Sequence, residues 1–471
     1  MSTFIESCEF LTDEEGDIYV NMPDLHCERA LTRLLRSTKW GAHPIVVLTE
    51  YSLIKKAFQH PSFQGRPDFF SYRIVQRHRK RGVALSDGLV WSENRHFLLT
   101  QLRNLGMGKT FLGDAIADEA SLLMDHLEKA CLDRPVVIDS ALNTAVINVL
   151  WMMFTSKRYD VGDLEIVQYV QVLEKILYVS RKKIFLLDII PVLPKILPMF
   201  ILNAFFDFNV GENYFQELTK MSENKIREHL TSLDPDNPRD IIDYYLLEKT
   251  ERDSNGFLTH FDAQQLCGMM NDTFLAGLDT TASTLRWMML YLTIYPDVQA
   301  KAHQCLDEAV PRTRLPCLAD KPRLAYVEAL VLDVLRLSSL APLLMFHRAT
   351  DDVVFEGYTI PQDTLLMACS EICHKNKSFW QKPDQLYPEH FLDENGKLDS
   401  DKENFIPFSV GRRQCVGESL ARMQLFLFTA AILHRFKLEA ATTTSLKSES
   451  DPATTIFNRP DRFELVLRKR N

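Results

Sequence analysis

Apolar positions recur with helical spacing over most of the chain and take on a strand-like texture in only two places. Ile45-Val46-Val47-Leu48 reads as a strand, followed by a short helix to about residue 60. From Trp91 to Lys157 the spacing is helical again. The most apolar stretch, Ile184 to Phe208, is interrupted by Pro191, Pro194 and Pro198 and carries Asp188 and Lys195. Helical patterning resumes near Tyr214 and Asp240. The longest pattern runs from Asp262 to Tyr295, opened by a capping pair, Thr259 and Asp262, and stopped by Pro296. Its 34 residues would extend about 50 Å as a helix, enough to cross a globular protein, so it predicts a spine. From Ala341 to Met367, Pro342, Val353-Val354-Phe355, Gly357-Tyr358 and Pro361 alternate strand and turn signals. Residues 374–412 are irregular, and Val416 to Phe436 is helical. The predicted fold class is mainly α, a large helical body with a long central helix and a small β-rich region.

Composition narrows this picture. A length of 471 residues suggests two or three domains, but no Gly/Ser-rich or Pro-rich linker and no repeat divides the chain, which favours one continuous unit. A hydrophobic share of 46% supports a sizeable core. With 54 Lys+Arg against 63 Asp+Glu, the net charge of −9 argues against nucleic acid as a partner. Two local basic patches stand against it, Arg77, Arg79, Lys80 and Arg81, then Arg181, Lys182 and Lys183. The nine cysteines form no paired CxxC motif, which points away from zinc and disulfides and toward a reducing compartment. The polar, acidic first 30 residues contain neither a leader nor a spanning segment. The proline density of 184–208 prevents a membrane span, though that stretch suits peripheral contact with a bilayer surface.

The chemistry concentrates in Phe408-Ser409-Val410-Gly411-Arg412-Arg413-Gln414-Cys415-Val416-Gly417, just before the last long helix. A cysteine there meets the helix dipole and free backbone N–H groups, which favour a thiolate. Gly411 suits a tight turn, Gly417 lets backbone approach a flat cofactor, and Arg413 offers a cation. Midway along the spine lies Ala276-Gly277-Leu278-Asp279-Thr280-Thr281. A helix-interior glycine costs about 1 kcal/mol against alanine, so it wants a reason, and a flat ligand over the helix is one. Threonines bonding back to carbonyls four residues earlier loosen the turn, and Asp279 beside Thr280 forms an acid–alcohol pair able to relay protons. Trp91 and Arg95 share a helix face.

The decapeptide matches at every defining position the haem-binding signature Phe-x-x-Gly-x-Arg-x-Cys-x-Gly of the cytochrome P450 family. The resemblance implies that Cys415 is the axial ligand of haem b, with Phe408 packed on the haem and Arg413 near a propionate. The segment Ala276 to Thr281 resembles the family's oxygen-activation motif, with Thr280 orienting proton delivery. Trp91 and Arg95 resemble its propionate clamp, and His347 matches a further propionate contact of the animal microsomal branch. The family's Glu-x-x-Arg pair appears as Asp333-Val334-Leu335-Arg336, one methylene shorter, and its partner loop carries His390. A looser haem clamp is therefore expected. Arg103 to Lys109, Asn237-Pro238-Arg239-Asp240 and the run from Phe391-Leu392-Asp393 up to Cys415 resemble the second animal family.

The resemblance covers residues 44–471 as one monooxygenase domain and leaves 1–43 as an N-terminal segment without the usual anchor. It implies a distal pocket lined by Asn271, Phe274, Leu275, Ala276, the turn holding Leu343, Leu344 and Met345, the loop before Trp91, and Ile456 and Phe457. The substrate is then a small hydrophobic molecule (steroid, fatty acid, terpenoid or xenobiotic), hydroxylated or epoxidised with O2. No flavin or nicotinamide fingerprint is seen, so electrons from NADPH would arrive through a separate reductase, NADPH-cytochrome P450 reductase. The implied location is the cytosolic face of the endoplasmic reticulum membrane, with the cytoplasm as the alternative. A hydroperoxide isomerase or dehydratase and a haem-binding sensor are the competing readings.

Overall fold

The computed structural model describes residues 9–12, 18–21, 35–40, 43–75, 80–106, 110–179, 184–206, 208–256, 260–441, 446, 448, 450 and 457–470. Strands β1 (Glu9–Thr12), β2 (Ile18–Asn21), β3 (Leu35–Trp40) and β4 (His43–Leu48) come first, then helices α1 (Tyr51–Gln59), α2 (Phe70–Val75), α3 (Gly88–Asn104) and α4 (Thr110–Cys131). After β5 (Pro135–Val136) come α5 (Asp139–Thr155), α6 (Leu164–Val179), and three short helices, α7 (Ile184–Ile189), α8 (Leu193–Ile196) and α9 (Met199–Phe206). The long helices α10 (Phe208–Ser232), α11 (Ile241–Ser254) and α12 (Ala263–Ile294) follow, with α13 (Pro296–Ala309) and α14 (Ala325–Ser338) behind them. Strands β6 (His347–Arg348), β7 (Val353–Phe355), β8 (Tyr358–Ile360) and β9 (Leu365–Ala368) then lead to α15 (Ser370–His374), α16 (Glu418–Arg435), β10 (Phe436–Ala440) and β11 (Leu465–Lys469).

The expected spine is α12, 32 residues long, with Asp262 as its N-cap accepting the amide of Gln265. Pro296 does more than stop it. It occupies the first turn of α13, where a missing N–H costs nothing. Thr259, the other half of the expected capping pair, lies outside the described residues. α5 packs along α12 and α4 and is buried almost all round, which a helix apolar on every face requires.

The main sheet has the order β3-β4-β9-β6, with β4 and β9 parallel and the outer pairs antiparallel. All four residues of β9 are buried, as expected for a strand in a covered sheet. The boundary drawn between residues 43 and 44 falls inside β4, whose partner β3 lies before it, so the sheet starts at residue 35.

The proline-rich stretch folds as α7, α8 and α9, with Pro194 in the first turn of α8 and Pro198 just ahead of α9. Ile190, Val192, Ile196, Met199, Phe200 and Phe205 stand exposed along it. Asp188 is instead buried and ties this stretch to α2. Its Oδ1 accepts the amide of Ser71 at 2.8 Å and its Oδ2 the hydroxyl at 2.5 Å. Burial pushes its carboxyl up to about 6 against those hydrogen bonds.

Candidate active site

The loop from Phe408 to Cys415 is closed by the amide of Cys415 donating to the carbonyl of Phe408 at 3.0 Å. Gly411 turns with φ +80°, and an added Cβ would stand 2.2 Å from the carbonyl oxygen of Phe58 in α1. Gly417 is the N-cap of α16, and a Cβ there would meet nothing nearer than the Cys415 sulfur at 3.9 Å. Cys415 is exposed as a residue, while its sulfur is hemmed by protein on the helix side. Burial pushes the thiol above its ordinary value, the amides of Gly417 and Glu418 and the Arg95 guanidinium pull it down, and the Glu418 carboxylate pushes it up. The helix terminus therefore helps the thiolate, as expected, but does not outweigh burial by itself.

Around this loop the protein gathers cations. Arg413 donates to the carbonyls of Gln64 and Ser86 and to Asp87 at 3.1 Å, and its guanidinium lies over the Trp91 ring, 4.0 Å from the centroid. Arg95 donates to the carbonyl of Gln414 at 2.7 Å. Arg66, which the sequence did not single out, is buried and donates to the carbonyls of Ala84 and Phe346. Lys80 and Arg348 also reach Asp87. Lys80 of the first basic patch is thereby engaged, whereas Arg77, Arg79 and the patch at 181–183 lie outside the described residues. Burial, joined by repulsion from neighbouring guanidiniums, lowers Arg66 to about 10 and Arg413 to about 9.

His347 is held by protein on its face and on one edge. Its ring stacks on Phe58 at 3.8 Å between centroids, and Nδ1 donates to the carbonyl of Phe63 at 2.7 Å. Burial, with Arg66 and Arg413 nearby, drives its pKa well below the ordinary value. The Phe63 bond and the Phe58 stack together fix the orientation of the ring.

On the spine, Ala276 is exposed and Thr280 half-buried, with Thr280 Oγ1 donating back to the Ala276 carbonyl at 2.7 Å. That is the expected loosening contact. Asp279 does not pair with Thr280. It is buried and bound to Arg459, with Nε to Oδ2 at 3.1 Å and Nη2 to Oδ1 at 2.6 Å. Gly277 is likewise accounted for by protein, since a Cβ there would point at Leu150 of α5, 2.8 Å from its Cδ1. The glycine lets α12 and α5 pack closely.

The expected pocket residues divide. Phe274 is core, enclosed by Trp151, Phe154 and Tyr169. Asn271 is committed to α10, accepting from Ser222 and donating to Thr219. Leu344 is buried in the sheet-side core, while Leu275, Leu343 and Phe457 are partly exposed and Met345 is open. Ile456 lies outside the described residues. The loop before Trp91 is pinned to the spine by Asp272, whose Oδ2 accepts the amides of Val83 and Ala84. Burial pushes that carboxyl up to about 6. Asp272 was missed, although an acid on a helix face that must be buried is itself a signal.

The shortened clamp closes fully. Asp333 accepts from Arg336 at 2.6 Å, from His390 Nδ1 at 2.8 Å and from the amide of Tyr387. Arg336 spends its other nitrogens on the carbonyls of His374, Pro383 and Gln385. Both side chains are fully buried, so the expected looseness is absent.

These residues suit a particular kind of guest. Two buried donors, Trp91 Nε1 and Arg413 Nη1, have no partner among the described residues. They sit where several cations share the single carboxylate of Asp87. A porphyrin brings two carboxylates and a flat face, which answers the orphaned donors, the surplus charge and the bare Gly417. A mainly helical protein with a cysteine at a helix mouth beside such a cradle has the build of a haem-thiolate enzyme.

Residues 21–467 match the family model described as Cytochrome P450, and the chain belongs to that family. Over 433 residues it is 38% identical to Cytochrome P450 2L1 of Panulirus argus, spanning 91% of this chain and 87% of that one. It is 34% identical to Cytochrome P450 2C13, male-specific, of Rattus norvegicus, spanning 90% and 85%. It is also 33% identical to Cytochrome P450 2U1 of Homo sapiens, spanning 84% and 72%. The protein is a haem-thiolate monooxygenase of hydrophobic substrates that uses dioxygen and electrons from a redox partner. Neither the hydroperoxide isomerase nor the sensor is favoured by these likenesses.

Proposed function

We propose that the Cys415 thiolate would hold the haem iron, with residues 44–471 and the adjoining β3 forming one catalytic domain. The observation that carries this is the pair of orphaned buried donors, Trp91 Nε1 and Arg413 Nη1, beside the Cys415 loop. Trp91, Arg413, Arg95 and Arg66 would hold the propionates, Gly417 would leave room for the ring, and Phe408 would pack beside it. When bound, the haem supplies dioxygen activation using external electrons. The chain's own part is to keep that chemistry dry, oriented and supplied with protons. Thr280 holds a hydroxyl on the open face of α12 next to Ala276, where it can pass a proton into the distal pocket. Leu275, Leu343, Met345 and Phe457 offer apolar surface to a substrate.

An NADPH-dependent flavoprotein reductase is the inferred electron donor, docking on the face near Cys415. No helix among the described residues is long and apolar enough to cross a membrane. The exposed side chains of α8 and α9 (Ile196, Met199, Phe200 and Phe205) instead form an apolar ridge suited to a bilayer surface. This supports a place at the cytosolic face of the endoplasmic reticulum.

The deciding measurement is the spectrum of the reduced carbonyl complex after loading with hemin. Thiolate ligation gives its peculiar long-wavelength band, and Cys415→Ser should lose it. A histidine-type spectrum in the unaltered protein would refute the assignment.

A further inference from the structure

We propose that Asp87 is a positioning residue that sets the net charge of the cation cradle, and thereby holds the reduction potential of the haem-loaded protein below the value its cations alone would give. The proposal rests on the haem-thiolate reading above and deepens it.

An aspartate at the start of a helix ordinarily turns its carboxylate inward to accept an amide of the first turn. Asp87 is the N-cap of α3, yet its side chain makes no such bond. It is turned toward the cradle instead. Oδ1 accepts the amide of Arg66 at 2.7 Å and Nη2 of Arg413 at 3.1 Å. Oδ2 accepts from Lys80 and, at 3.4 Å, from Nη2 of Arg348. Donors from distant stretches of the chain thus meet on one carboxylate, which is 21% exposed. Its charge also acts on the guanidiniums around it. Arg95 repels both Arg66 and Arg413, while Asp87 attracts both.

The guanidinium that Asp87 holds is also the one turned toward a guest. Arg413 gives Nε to Gln64 and Nη2 to Ser86 and Asp87, which leaves Nη1 buried and without a partner among the described residues. Trp91 Nε1 is in the same condition, and its ring lies 4.0 Å from that guanidinium. Asp87 and a guest carboxylate therefore share one cation, the first on Nη2 and the second on Nη1. Two anions on one cation each weaken its hold on the other. Asp87 thus reduces the pull of the cradle on any further negative charge.

Electron uptake brings in such a charge. One electron, delivered by the external donor that the activity already requires, makes the loaded site one charge more negative and changes no bond in the chain. The cations favour that uptake, and a fixed carboxylate beside them opposes it by Coulomb repulsion. Asp87 therefore adjusts how readily the site is reduced while touching neither substrate nor reacting atoms.

The test uses the full chain loaded with hemin, its midpoint potential read by optical titration against redox dyes. The reduced carbonyl spectrum is taken first on every preparation. Failure of the haem-thiolate reading shows in that spectrum, and failure of this proposal shows in the potential. In Asp87→Asn, the equilibrium should shift about threefold to tenfold toward the reduced form. Lys80→Gln takes a cation from the same carboxylate and should shift it the opposite way. The double variant carries the unaltered net charge, so its midpoint should return close to that of the unaltered protein. A purely structural role would not do this, because loss of a second partner would add to the damage. Salt should shrink each shift, since Asp87 and Lys80 are both partly exposed. The proposal is overturned if Asp87→Asn leaves the midpoint unchanged or moves it negative. It is also overturned if the double variant departs further from the unaltered protein than either single one. Should Asp87→Asn fail to fold, Lys80→Gln decides alone, and a midpoint unchanged or more positive there refutes the proposal.

Discussion

Gly411 marks a point where the backbone leaves no room for a side chain. Left-handed backbone costs an L-residue about 1–2 kcal/mol, and here the obstacle is a fixed carbonyl of Phe58, not a rotatable tip. Gly411→Ala should destabilise by at least about 2 kcal/mol and lower haem retention, read from denaturant unfolding and from haem content after gel filtration. Full haem content at unaltered stability would count against this reading of the turn. Asp333 allows a prediction opposite to intuition. The family's longer glutamate is the intuitive repair of the clamp, yet Asp333 already meets Arg336, His390 and Tyr387 in a fully buried site. Asp333→Glu should therefore cost about 1–3 kcal/mol through overpacking, and a rise in melting temperature would show that the clamp was strained. The loop that carries Gly411, Arg413 and Cys415 stood out in the sequence because its signature is contiguous. The partners of Asp279 and Gly277 did not, because Arg459 lies 180 residues further on and Leu150 belongs to another helix. A side chain's chemistry is written locally, whereas its partner is set by packing.

The same divide appears among the elements. α12 could be read almost to the residue because the sequence carries both its cap, Asp262, and its stop, Pro296. The proline-broken stretch was recognised as unable to form one helix, but its three short helices depend on contacts such as Asp188 with Ser71. β3 escaped notice because strands of six residues are specified mainly by the neighbour they pair with. The junction of α10 and α11 offers a test in which the element is the unit. His229, near the end of α10, donates from Nδ1 to the Lys225 carbonyl at 2.7 Å and from Nε2 to Asp240 at 2.9 Å. Asp240 in turn caps α11 by accepting the amides of Ile242 and Asp243. Both partners of the ring are acceptors, so the doubly protonated ring satisfies both bonds at once. Burial works to lower its pKa, but the hydrogen bond and charge of Asp240 raise it further, and the net shift is upward from 6.5. With the folded value above the unfolded one, the contribution is fully present below the unfolded pKa and lost as pH climbs through the folded one. Melting temperature should fall by about 1–2 °C over that alkaline-going window, and His229→Gln should flatten the fall. An equally steep fall in the variant would assign the pH dependence to other groups.

At the scale of the whole molecule, the helical core and the sheet-side core meet where the cations gather. Arg413, just before α16, reaches back to Gln64 and Ser86, while Arg66 spans from Ala84 to the strand region at Phe346. These links knit residues 64–86 to Phe346 and Arg413, but they also place like charges together inside protein. Burial and repulsion from neighbouring guanidiniums lower both Arg66 and Arg413, and Asp87 is the one carboxylate that Arg413, Lys80 and Arg348 share. Such an arrangement is under tension until a dianion enters it, because an unpaired buried charge is costly and a paired one much less so. Cofactor binding and folding should therefore be coupled more strongly than apolar contact with a porphyrin would explain. Arg66→Met separates the two contributions, since it keeps an apolar stem in place of the charge. It frees the carbonyls of Ala84 and Phe346 and so weakens the protein with or without cofactor; the informative quantity is the gain in melting temperature on adding hemin. That gain should be smaller in Arg66→Met than in the unaltered protein, with hemin affinity about tenfold weaker, equivalent to roughly 1.4 kcal/mol. The deficit should narrow as salt screens the part of the charge cluster nearest solvent. If both proteins gain equally from hemin, the cations serve only to tie loops together, and the electrostatic account of the cradle is wrong.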